Sequence, residues 1–86
     1  MKFIDEFIVN KVNETESYGV DLRNSDSVVI KFSGVSSFFA QGIISQESED
    51  QIISNVLENY EIQDKAVVAK DFSNFISYLN KLNVLA

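Results

Sequence analysis

Ser27-Val28-Val29-Ile30-Lys31-Phe32 is the stretch on which the reading of this chain turns. Its β-branched residues favour a pleated backbone, and a short apolar run without alternation reads as a strand covered on both faces, as in a parallel sheet. Ser33-Gly34 ends the run. Ser36 or Ser37 then offers an N-cap for a helix through Phe38, Phe39, Ile43 and Ile44, a pattern that Gly42 interrupts.

Further downstream, Ser48-Glu49-Asp50-Gln51 has the form of a capping box, and Ile52, Ile53, Val56, Leu57 and Tyr60 follow at helical spacing. Asp64-Lys65 reads as a turn into Ala66-Val67-Val68-Ala69, a second short apolar strand. Asp71 would cap a closing helix with Phe72, Phe75, Ile76, Leu79 and Leu82 on its buried stripe.

Upstream, Asn24-Ser25-Asp26 predicts a turn and Glu14 to Arg23 a short helix, with Tyr18 and Leu22 at i and i+4. Gly19 weakens that helix by about 1 kcal/mol relative to alanine. The opening residues fit a helical stripe (Phe3, Ile4, Phe7, Ile8, Val12) and also a strand face (Phe3, Asp5, Phe7, Val9); the β-prone Phe7-Ile8-Val9 tips residues 3–12 towards a strand. From residue 27 the expected order is β-α-α-β-α. With a right-handed crossover this gives a small α/β layer fold, a short, mostly parallel sheet covered by helices, in one domain over residues 1–86.

Composition removes whole classes of chemistry. The 86 residues include no cysteine and no histidine, so disulfides, thiolate metal sites and Ser–His or Cys–His catalysis are excluded. Gly19, Gly34 and Gly42 are too scattered for a phosphate-cradling loop. Glu47, Glu49 and Asp50 cluster, but an acidic first helical turn accounts for them without a metal. No cofactor, metal site or catalytic residue is expected, and the chain reads as a non-enzyme.

The acidic Asp5-Glu6 interrupts any secretory signal, and no segment is apolar for long enough to span a bilayer, so a cytoplasmic protein without membrane contact is expected. Asn13-Glu14-Thr15 is a sequon of a kind that arises often by chance. Thirteen acidic against seven basic residues give a net charge of −6, which disfavours direct nucleic-acid binding. The adjacent Phe38 and Phe39 cannot both be hidden by one helix face, which makes them candidates for a protein contact or for self-association as a homodimer.

The stretch Val28-Val29-Ile30-Lys31-Phe32-Ser33-Gly34-Val35-Ser36-Ser37-Phe38-Phe39-Ala40 resembles the STAS-like domains, relatives of the anti-sigma-factor antagonists. In that family an apolar strand ends in a serine-bearing turn that opens a helix. The sequence departs from the pattern at Lys31, where an acid is common, and in a shorter turn. The resemblance implies a regulatory interaction module that meets its protein partner through Ser36, Ser37, Phe38, Phe39 and Gln41, with Ser36 or Ser37 as phosphoacceptor. Simple helix capping is the other role open to these two serines.

An alternative reading is a small acidic inhibitor, of a phage-encoded anti-defence or anti-CRISPR type. It would block a basic nucleic-acid groove on its target with Glu47, Glu49, Asp50, Glu58, Glu61 and Asp64.

Overall fold

Asn13 turns the chain where a helix was expected to begin. Its Oδ1 accepts the Thr15 backbone N–H (2.9 Å) and hydroxyl (3.1 Å), an Asx turn that reverses one strand into the next. In the computed structural model, which describes residues 1–23, 28–60 and 64–86, the strands are β1 (Phe7–Asn13), β2 (Glu16–Asp21) and β3 (Val28–Ser33). The helices α1 (Val35–Ile44), α2 (Glu49–Tyr60) and α3 (Lys65–Leu82) follow. The sheet has the order β1-β2-β3 and both pairs are antiparallel.

This overturns the α/β expectation. The fold is a small α+β arrangement, three antiparallel strands and then three helices, and the parallel sheet that a STAS-like layer fold requires does not form. Two elements account for the difference.

Glu14 to Arg23 is a turn and a strand because β2 alternates strictly, with Ser17, Gly19 and Asp21 facing inward. Those inward residues are small or polar, so their period of two is invisible to a hydrophobicity count. The reason for Gly19 is spatial: a Cβ there would collide with the Phe7 ring and come within 3.1 Å of Phe32 Cε2. Phe7 and Phe32, from the two flanking strands, close over the glycine.

Ala66–Ala69 lies in the opening turns of α3 and is not a strand. Asp64 is its N-cap, accepting the Ala66 N–H at 3.0 Å and the Val67 N–H at 3.4 Å, and Asp71 lies within the helix. Of the Val67-Val68 pair only Val68 is buried; it continues as Phe72, Phe75 and Leu79 at helical spacing. The expected turn at Asn24-Ser25-Asp26 lies outside the described residues.

Other expectations meet the fold more closely. β1 realises the strand expected in residues 3–12, though Phe3 sits apart in a single bridge to Leu85. Ser48 Oγ accepts the Gln51 N–H at 3.2 Å, half of the capping box, while the Gln51 amide turns to Asn55. Gly42 belongs to α1 after all: a Cβ would stand 2.5 Å from Ile52 Cγ1, so the glycine is where α2 closes on α1. Gly34, at φ +58, makes the turn from β3 into α1.

The helices cover one sheet face. Phe7 and Phe32 meet Phe39, Ile43, Ile52, Val56, Phe72, Phe75 and Leu79 in one apolar core. The other face stays open, with Ile8, Val20 and Val29 in a row across it. Arg23 ties the sheet to the end of α3, donating to both Asp21 carboxylate oxygens and to the carbonyls of Leu82 (2.9 Å) and Asn83 (2.7 Å). A cation at that end also complements the helix dipole.

Candidate functional site

β3 is an edge strand, and its backbone polarity can be worked out from two bonds. Gly34 N–H donates to Thr15 O (2.8 Å) and Leu22 N–H donates to Glu6 O (2.9 Å). Antiparallel ladders alternate, so with these registers Val28, Ile30 and Phe32 point their N–H and C=O groups at β2, while those of Val29, Lys31 and Ser33 point outward. No strand among the described residues takes up these outward groups.

The opposite edge is blunted. On β1 the outward N–H of Phe7 is already bonded to Ile4 O (3.1 Å), and the register shifts between Lys11 and Asn13. Both features discourage strand addition, whereas β3 pairs without irregularity along its six residues. Val28 and Val29, expected to be covered on both faces, are 48% and 59% exposed.

Beside the Ser33 end of this edge lies an open groove of about 410 Å³ between the start of α1 and α3. Its walls are Val35, Ser36 and Phe39 from α1 and Asp71, Asn74, Phe75 and Tyr78 from α3. The α3 residues fall at i, i+3, i+4 and i+7, one helical stripe. Phe75 forms the floor, with its ring centroid 5.6 Å from Phe32 and 5.5 Å from Phe39.

The residues expected to contact a partner are separated by the rotation of α1. Ser36 and Phe39 line this groove, although Phe39 is almost wholly buried at 2% exposure. Phe38 and Gln41 line a different groove of about 380 Å³ with Lys11, Glu14, Ser45 and Asn59. Ser37 is completely buried. Its hydroxyl lies 2.7 Å from Ser17 Oγ, which also accepts from Gln41 Nε2 at 2.7 Å, so Ser37 serves a polar contact between α1 and β2. A phosphate could not be added there without breaking the core, and Ser36 is the more accessible of the two.

The expected acidic surface is likewise divided. Asp64 caps α3, Glu49 and Asp50 occupy the first turn of α2, Glu47 accepts from Asn55 Nδ2 at 2.9 Å, and Glu58 is exposed on α2. Glu61 lies outside the described residues. Among the described residues no three acids converge as a metal site, and no helix is long and apolar enough to cross a membrane.

Sequence reasoning did not assign Val29, Asp71, Asn74, Phe75 and Tyr78 to a site. The stripe at 71, 74, 75 and 78 was its only visible signal, and it was obscured by placing a helix boundary at Asp71.

The fold resembles TbiB1. That protein, solved in complex with the TbiA(beta) leader peptide, superposes with a TM-score of 0.85 over 99% of this chain and 94% of its own, at 18% sequence identity. No family model matches the chain, and no curated protein matches its sequence.

Proposed function

We propose that the chain is a non-enzymatic module that binds an extended peptide segment of a protein partner as a fourth strand on β3. The observation that carries this reading is the regular, unpaired edge of β3 beside the groove floored by Phe75. Backbone hydrogen bonds from Val29, Lys31 and Ser33 supply affinity for any extended chain, and the groove reads its side chains. The solved complex of the similarly folded TbiB1 with a leader peptide supports a peptide as the ligand class. The absence of histidine and cysteine supports binding over catalysis.

The test is amide hydrogen exchange with a peptide selected from a random decapeptide library. Binding at this edge slows exchange at Val29, Lys31 and Ser33. Protection confined to β1 or to the groove beside Phe38 would refute the assignment.

A further inference from the structure

The groove beside β3 carries one charge. Asp71, exposed on α3, lines it together with the apolar Phe75 and the polar Ser36 and Asn74. The ion pairs among the described residues are Arg23–Asp21 and Lys31–Glu16, so no cation there neutralises Asp71. Its neighbour Lys70 is set about 100° around the helix from it. An uncompensated carboxylate beside a hydrophobic floor favours a ligand with an apolar body and a cationic tip, and lysine and arginine have that shape.

We propose that Asp71 is a specificity-determining residue that selects peptides bearing a lysine or arginine where the added strand passes the start of α1. This rests on strand addition at β3. Val35 and Ser36 lie just past the Gly34 turn at the Ser33 end of that strand and share the groove with Asp71, which places the cation at this end of the edge. Ser36 Oγ and the Asn74 side-chain carbonyl add neutral acceptors around it. The net charge of −6 also steers cationic segments towards the surface.

The experiment pans a random decapeptide display library against the wild type, Asp71→Asn, Asp71→Lys and Val29→Pro, with each variant's folding checked by circular dichroism. Asp71 is exposed and asparagine and lysine are tolerated in helices, so both variants fold. The wild type should enrich lysine or arginine at one fixed position by about two- to five-fold, the range of an exposed ion pair. Asp71→Asn should flatten that preference, and Asp71→Lys should turn it towards aspartate and glutamate. Wild-type and Asp71→Asn profiles that are identical, with recovery still lost in Val29→Pro, would overturn the role of Asp71 and leave strand addition standing. Failure to enrich any peptide, or enrichment that Val29→Pro leaves unchanged, would overturn strand addition and this inference with it.

Discussion

Val29→Pro and Ile30→Pro differ by one position on one strand, and the outward and inward alternation of β3 makes them opposites. Proline removes a backbone N–H. At Val29 that N–H faces away from β2, the side chain is 59% exposed, and the preceding Val28 already has the extended backbone that proline imposes on its neighbour. The fold should lose no more than about 1 kcal/mol, or about 4–8 °C in Tm for a domain of this size. At Ile30, opposite Gly19 in the ladder, the same change deletes a bond to β2 and leaves a buried carbonyl unpaired, about 1–3 kcal/mol. The loss of half-buried Ile30 from the core edge adds about 1–2 kcal/mol. Ile30→Pro should therefore lose about 1–5 kcal/mol more than Val29→Pro and melt at least about 4–8 °C below it. Peptide binding should show the reverse economy: in the still-folded Val29→Pro, one bond of the added strand goes unmade and affinity falls about tenfold. Thermal denaturation by circular dichroism and peptide titration by fluorescence anisotropy measure the two effects. Equal destabilisation by both prolines would refute the alternation, and wild-type affinity in Val29→Pro would refute strand addition.

Ser37→Asp places a charge in the buried contact with Ser17 and should abolish cooperative unfolding, whereas Ser36→Asp at the groove rim should melt within a few degrees of the wild type; near-ultraviolet circular dichroism distinguishes them. Gly42→Ala gains about 1 kcal/mol of helix propensity but forces Ile52 off α1 at about 1–3 kcal/mol, so urea denaturation should show a net loss of about 1 kcal/mol, reduced when Ile52 is also shortened to alanine. The Arg23 hydrogen bonds hold the Asp21 carboxyl at about 2, below its ordinary 3.8. A depressed folded-state value means that this contribution is present above pH 3.8 and is lost as the pH falls towards 2, so Asp21→Asn should flatten the denaturant midpoint between those values relative to the wild type. An unchanged acid dependence in that variant would show that Arg23 and Asp21 do not act as a pair in solution.

The sequence by itself determined the elements whose pattern is local. The strand at Val28–Ser33, the helix that Ser48 caps, and the buried stripe of Phe72, Phe75 and Leu79 follow from side-chain spacing and capping chemistry; α1 follows from spacing alone, because it starts at Val35 behind Gly34 and neither Ser36 nor Ser37 caps it. So does the absence of histidine and cysteine chemistry, which composition fixes. The inward residues of β2 are Ser17, Gly19 and Asp21, small or polar because phenylalanines from both neighbouring strands fold over Gly19 and because Ser37 and Arg23 satisfy the other two. Each of those reasons lies elsewhere in the chain, so no local hydrophobic period could reveal the strand. Without β2 the apolar run at Val28–Phe32 lacked its antiparallel partner and was assigned a parallel one at Ala66–Ala69. Only the tertiary structure decided that β3 is an edge, that Asp64 rather than Asp71 starts α3, and that one stripe of that helix lines a groove with the start of α1. The groove exists because α3 packs beside the start of α1 with Phe75 beneath them, and that placement is a property of the packed chain.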